Sequence, residues 1–335
     1  MTNEFINLPP PPVGEDIPTI LHWLNKVYIR LGGGRNNIIY VPSFASTDLP
    51  TADLENGLVF LTDEGALGVG VGGASVTVSS SVAPRGHIGG LTLSNNATDA
   101  TNDIDIATGE ATSSDTGITM ILVDGITKRL DASWAVGTNQ GGLDTGSIAN
   151  ATYHVFLIKR TDTGVVDVLF STSATAPTMP ASYSLKRRIG SIIRASATIV
   201  PFAQFGDEFL LKLPVREVAT SNPGTSAVES TLSTSPSGIK VNALITVVLL
   251  TDNATETNHC LITSLDQTDT APSSSVYTIV GKNTIAASTV TADSVYLSIR
   301  TNTSKQVRYR LSTSVADVRI EIMLHGWIDY RGKHN

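Results

Sequence analysis

Val318-Arg-Ile-Glu-Ile-Met-Leu-His-Gly-Trp-Ile-Asp-Tyr330 is the stretch whose reading decides the fold class. Val318, Ile320, Ile322 and Leu324 fall on every second residue, with Arg319 and Glu321 between them. Side chains of a strand point alternately to opposite faces, so this period of two describes a strand with one buried face. Val295, Leu297 and Ile299 repeat the pattern upstream. Further strands are expected over 241–250, 258–265, 275–280, 294–301 and 306–312. Residues 239–335 therefore read as a β-sandwich, a candidate receptor-binding domain.

Before it, residues 219–238 are rich in Ser, Thr, Pro and Gly and read as a linker or as irregular strand structure. Residues 86–218 carry strand signals over 90–93, 103–106, 118–123, 153–159, 165–170, 188–193 and 209–213. Turn signals such as Asp124-Gly125, Asp162-Thr-Gly164 and Phe205-Gly-Asp207 separate them. Short strands with that punctuation predict a second sandwich or jelly roll. Residues 38–85 read as a β-hairpin and glycine-rich connector.

The opening 37 residues have a different texture. Pro9 to Pro12 favour an extended arm over residues 1–16, either a linker or a docking peptide for a neighbouring subunit. A helix is expected over 17–31, with Asp16 as N-cap and Gly32-Gly33-Gly34 as its stop. Ile17, Ile20, Leu24, Val27 and Leu31 are spaced 3, 4, 3, 4, the seam of a coiled coil, although an amphipathic helix packed on its own domain has the same signature. Two heptads are marginal alone, so the arm and helix (1–37) read as an anchor that gathers chains. Branched residues at both seam positions favour three strands. The fold expected is thus all-β: two sandwich or jelly-roll-like domains after a short N-terminal coiled-coil helix, assembled as a trimer.

Composition points the same way. Of 335 residues 41% are hydrophobic and only 16% charged, against about a quarter in ordinary globular chains. Ser, Thr, Asn and Gly take the place of charge, which suits strands and turns rather than disorder. A net charge of −7 gives no footprint for nucleic acid. The one basic run, Lys186-Arg187-Arg188, is expected to form a solvated face or to pair locally with acids. The single cysteine, Cys260, lies in an apolar run and is expected to be a small buried hydrophobe, so no intrachain disulfide forms. No secretory signal opens the chain, and no apolar run approaches the roughly 20 residues of a membrane span.

Catalytic patterns are hard to find. Gly68-Val-Gly-Val-Gly-Gly73 resembles a phosphate loop only superficially, because strand-like Ala-Ser-Val-Thr-Val follows where a helix is required. His22, His87, His154, His259, His325 and His334 share no ligand spacing for a metal. Asp103 and Asp105 lie on one strand face at a separation suited to glycoside hydrolysis. No aromatic sugar platform sits near them, and a turn or sheet-edge role is the plainer reading. No catalytic residue, cofactor or metal site is expected, and the chain reads as a non-enzyme.

Lys128-Arg-Leu-Asp-Ala-Ser-Trp-Ala-Val-Gly137, Gly141-Gly-Leu-Asp-Thr-Gly146, Tyr153-His-Val-Phe-Leu-Ile-Lys-Arg160 and Asp167-Val-Leu-Phe-Ser171 follow one another in order. Pro177-Thr-Met-Pro180, Tyr183, Arg187-Arg-Ile-Gly-Ser191 and Phe202-x-x-Phe-Gly206 continue the series. Over roughly 120 residues this resembles a domain of tail-fibre and other virion proteins of tailed bacteriophages. The resemblance implies a virion part made in the host cytoplasm, with no catalytic set to carry over. A tail-fibre subunit taking part in host attachment is the leading expectation. It would be held to other virion proteins by its N-terminal arm, and would contact a host surface glycan or protein without nucleic acid or membrane insertion. A structural adaptor or a head-decorating fibre is the alternative, and a host-polysaccharide hydrolase is a third. Light scattering of the purified chain at micromolar concentration is expected to give a trimer mass; a stable monomer overturns the seam.

Overall fold

A computed structural model of the chain describes strand residues 43–44, 58–61, 66–71 and 74–78, and residues 84–251, 257–282, 290–313 and 318–333. The arm and the seam of Ile17, Ile20, Leu24, Val27 and Leu31 lie outside the described residues, as does the strand expected at 38–41. Two compact units are present, residues 1–82 and 83–335. In the first, β1 (Ser43–Phe44), β2 (Leu58–Leu61), β3 (Ala66–Val71) and β4 (Ala74–Val78) form one sheet in sequence order. Gly68 and Gly70 sit within β3, opposite Thr77 and Ser75 of β4. The glycine-rich segment is therefore a hairpin strand.

The second unit is all-β, with no helix among the described residues. Its earlier strands are β5 (Ile88–Gly90), β6 (Leu93–Asn95), β7 (Asp103–Ile106), β8 (Gly109–Thr112), β9 (Thr119–Leu122), β10 (Ile126–Ser133), β11 (Gln140–Leu143), β12 (Thr152–Arg160), β13 (Val166–Ser171), β14 (Tyr183–Ala195) and β15 (Thr198–Ile199). Its later strands are β16 (Phe202–Phe205), β17 (Glu208–Ser221), β18 (Val228–Thr231), β19 (Asn242–Thr251), β20 (Thr257–Thr263), β21 (Ile279–Lys282), β22 (Thr291–Arg300), β23 (Gln306–Leu311) and β24 (Val318–Ile328). An eight-stranded mixed sheet runs β15-β14-β12-β13-β11-β10-β7-β6, with β5-β8-β9 as a small separate sheet. A five-stranded sheet, β16-β17-β24-β19-β22, faces a four-stranded one, β18-β23-β20-β21.

The alternations read from sequence set the faces of this sandwich. Ile320, Ile322 and Leu324 of β24 are fully buried beside Ala243, Ile245, Val247 and Leu249 of β19. Cys260, Ile262, Val307, Tyr309 and Leu311 belong to the same core from the opposite sheet. At Gly281 of β21 an added Cβ would stand 3.1 Å from Leu249 Cδ2, so the two sheets meet in direct contact. Cys260 is free and fully buried, and burial pushes its thiol up to about 12. In the eight-stranded sheet, Thr152 to Leu157 of β12 are buried without a break. Both faces of that strand are covered. Tyr153, Val155 and Leu157 join the main core, while Phe156 and Ile158 join Leu169 and Tyr183 in a smaller cluster on the other side.

The division at 219–238 needs correction. One core cluster runs from Leu91 to Trp327, and residues 83–335 are a single unit. β17 extends to Ser221 and pairs with β24 from Glu208 opposite Ile328 to Ser221 opposite Arg319. A strand expected to close the earlier domain is thus the neighbour of the last one. Beyond it, the Glu217 carboxylate accepts hydrogen bonds from the amides of Ser233 and Thr234, and Leu232 and Ser235 are fully buried. The connector is packed structure: Glu217 also accepts the Ser233 hydroxyl, and the Ser237 amide donates to Thr152 Oγ1.

Gly190 in β14 marks the join between the earlier and later strands. An added Cβ would stand 2.6 Å from Leu93 Cδ1 and 3.1 Å from Phe209 Cζ. Overpacking of such a site costs about 1–3 kcal/mol. Gly190→Ala is expected to lower the unfolding free energy by that amount without changing the denaturant slope, as read from urea unfolding.

Candidate ligand-binding cleft

β14 delivers Lys186, Arg187 and Arg188 to the floor of a cleft of about 820 Å³. Its other cationic walls come from Arg85, Lys240, Arg300 and Arg331, so basic residues from five separate segments converge there. Asp115 and Asp329 are the acids in the lining. Ser113, Ser114, Thr175, Asn242 and Thr303 add short polar side chains, and Phe156 and Tyr330 add aromatic surface. The volume lies within the range of small-molecule sites.

Three arginines organise the deep end. Arg188 makes a two-pronged ion pair with Asp329, Nη1 to Oδ2 at 2.5 Å and Nη2 to Oδ1 at 2.8 Å. Asp329 is 2% exposed and also accepts the amide of Arg331 at 2.8 Å. Arg331 in turn pairs with Asp207 at 2.6 Å, and Lys333 shares that carboxylate at 2.8 Å. The two cations hold the Asp207 carboxyl below its ordinary value against the opposing effect of burial, which is the largest single influence. Lys186 pairs with Asp115 at 2.7 Å and Lys240 with Asp266 at 2.5 Å. The acids that answer this basic run are far away in sequence, not local as expected. Nor is the run a solvated face, since Arg187 is 5% exposed.

Arg187 is the exception to the pairing. Its Nη2 donates to the Arg331 carbonyl at 2.9 Å and the Gly86 carbonyl at 3.4 Å, but its Nε has no acceptor. No carboxylate among the described residues pairs with it, and burial followed by the charges of Arg188 and Arg331 lowers its pKa. Arg85 and Arg300, both exposed, also have no ion pair among the described residues.

His154 of β12 lies beneath Arg188. It is fully buried, and its Nδ1 is 2.9 Å from Ser191 Oγ, which also accepts from Arg188 Nη1 at 3.2 Å. Burial, then the Arg188 charge, depress its pKa to about 4, with Asp329 opposing. Ser191 is 1% exposed, so this Ser–His contact is closed to substrate.

The other residues singled out in the sequence lie apart from the cleft. Asp103 and Asp105 do share a face of β7, but that strand runs between β6 and β10 and is not an edge. Asp105 accepts from Asn96 Nδ2 and Thr127 Oγ1, both on Oδ1, which ties it to neighbouring strands. Burial, with Asp99 and Asp131 nearby, raises the pKa of Asp103. His87 contacts Glu110 at 2.8 Å, His259 stacks obliquely near Tyr277, and His325 contacts Thr246 Oγ1 at 2.8 Å. His22 and His334 lie outside the described residues. Among the described residues no group of three or more His, Cys, Asp or Glu is placed to hold a metal.

Several of the motif residues between 128 and 183 gather at a second, closed centre. Lys128 of β10 and Asp167 of β13 form an ion pair at 3.0 Å with 0% and 1% side-chain exposure. Lys128 Nζ also donates to the carbonyls of Ala135 (2.6 Å) and Gly137 (3.1 Å), while Asp167 accepts the amides of Gly137 (2.8 Å) and Val168 (2.6 Å). The Trp134 ring lies 5.4 Å from Nζ, donates to the Val168 carbonyl and packs edge-on to Tyr183. With both ions answered on every side, this centre is a brace rather than a site. The cleft itself had no sequence signal beyond Lys186-Arg187-Arg188, because its other walls come from segments distant in sequence.

No family model matches the chain, and no curated protein matches it. Among solved structures it is similar to a chain of the "Structure of infectious bursal disease virus Gx strain" at 10% identity, covering 73% of this chain and 70% of that one, with a TM-score of 0.17. A superposition at that score carries nothing about shared fold or function.

The buried histidine has a consequence for acid stability. Folded His154 titrates near 4, against about 6.5 in an unfolded chain. Between those values the unfolded chain takes up a proton that the folded one refuses. Its contribution is therefore complete above pH 6.5 and is lost as pH falls towards 4, by about 3 kcal/mol. Urea unfolding from pH 7 to 4 is expected to show this fall, and His154→Gln is expected to flatten it.

Proposed function

We propose that this protein is a non-enzymatic structural subunit of a virion, a bacteriophage tail fibre that takes part in host attachment. The observation that carries the reading is the convergence of the phage-fibre-like motif residues on the closed Lys128–Asp167 brace. Those residues, spread from 128 to 183, serve the frame of the domain, as a resemblance in architecture requires. Two further observations support it. The fold is all-β with sandwich character, a common build for particle proteins. The cleft offers cationic and hydrogen-bonding groups, while the buried Ser191–His154 contact is closed and not part of its lining, which favours binding over turnover.

In this reading the arm and the Ile17, Ile20, Leu24, Val27 and Leu31 seam gather three chains at the particle, and the all-β unit of 83–335 faces outward. Three arms held together bind tightly even when each is weak. Deleting residues 1–16 is expected to leave a folded, soluble trimer that no longer enters particles. Normal incorporation of the truncated chain removes the arm as the attachment device. Immunogold labelling of intact particles is expected to mark the tail tip; label confined to the head favours the head-decorating alternative, and label confined to the tail body favours an adaptor.

A further inference from the structure

We propose that the cleft is a binding site for an oxyanion carried on a small saccharide, a sugar acid or sugar phosphate, with Arg187 as its central cation. This inference stands on the cleft alone and does not depend on the virion reading.

The charge pattern is the first ground. Seven basic side chains line the cleft against Asp115 and Asp329, in a chain whose net charge is −7. Each of Lys186, Arg188, Lys240 and Arg331 pairs with a carboxylate, that of Arg331 being shared with Lys333. Arg85, Arg187 and Arg300 have none among the described residues. Two of these are exposed and solvated at no great cost. Arg187 is different: a guanidinium 5% exposed, flanked by two further arginines and bonded only to carbonyls. A buried charge without a partner is unfavourable unless something supplies the opposite charge. Its Nε, buried and without an acceptor, leaves the side chain's bonding incomplete. A planar carboxylate or a phosphate matches the guanidinium fork.

The walls indicate what carries the anion. Ser113, Ser114, Thr175, Asn242 and Thr303 are short donors and acceptors suited to ring hydroxyls, and half-exposed Tyr330 offers a face for a sugar ring. About 820 Å³ holds one or two sugar rings and excludes a folded partner. The position of Arg187 is secured by its neighbours in the cleft wall. Arg188 and Arg331 are clamped by Asp329 and Asp207, so the cationic floor is built before any ligand arrives.

The test uses the full chain and isothermal titration with four probes: inorganic phosphate, glucuronate, glucose 1-phosphate and glucose. Glucuronate and glucose 1-phosphate are expected to bind, more tightly than phosphate and with an affinity that falls as salt rises, while glucose does not bind. Arg85→Gln with Arg300→Gln, both at exposed positions, is expected to keep the thermal transition and weaken the two sugar anions about fivefold. Arg187→Met is expected to weaken them thirtyfold or more; should it fail to fold, the exposed pair decides alone. Glucose binding as tightly as glucuronate, no binding of any anion at tens of millimolar, or an exposed-pair variant with unchanged affinity overturns the proposal. Phosphate binding without either sugar anion overturns the saccharide assignment.

Discussion

Arg188 and Asp329 meet almost out of water, and the arrangement of the larger unit depends on that meeting. The arginine comes from the middle of β14 in the eight-stranded sheet, and the aspartate follows β24 in the five-stranded one. Desolvating both ions costs as much as their attraction returns, so such a pair contributes little net stability against an apolar replacement. Its effect is on registry. Loss of either partner leaves a buried charge unanswered, and only one docking of the two sheets satisfies both. The same docking sets Arg331 against Asp207 and against the Ile189 carbonyl, and brings Arg187 under the Arg331 carbonyl. The floor of the cleft is thus a by-product of the joint.

The Lys128–Asp167 pair follows the same logic elsewhere in the eight-stranded sheet, with a different outcome. Its ions are enclosed by carbonyls and amides of the loop after β10, beneath Trp134. Both ions there are answered. The contrast between a closed pair and an arginine without a carboxylate separates framework from site more sharply than burial does, because both centres are nearly dry.

Much of the strand inventory is legible in sequence. Alternation at 295–299 and 318–324 places β22 and β24 and their inward faces, since a sandwich with one wet side per sheet writes its period directly into the chain. β10 and β11 escape that reading: their residues stand out as a motif, but Lys128, buried in mid-strand, breaks the polar-out rule. The full length of β17 is hidden too, because Leu213 is exposed at 79% and Pro214 interrupts the pattern, where the pairing with β24 shifts register. The stretch at 219–238 has the composition of a loop, yet its Ser233 and Thr234 amides are held by Glu217, a partner that local composition does not reveal. Of the cleft, only the three consecutive basic residues are visible. Their burial depends on acids 71 and 141 residues away, and no local pattern encodes that.

β24 occupies the middle of its sheet, with β17 on one side and β19 on the other. A chain emerging from the ribosome therefore makes β17 and β19 long before the strand that belongs between them exists. Until residues 318–328 have been synthesised, both present unpaired edges and the apolar faces that later meet Trp327. Such pairing between distant segments forms slowly and leaves intermediates prone to association. Closure of this sheet consequently waits for residues 318–328, and production of the protein favours slow expression at low temperature over speed of synthesis.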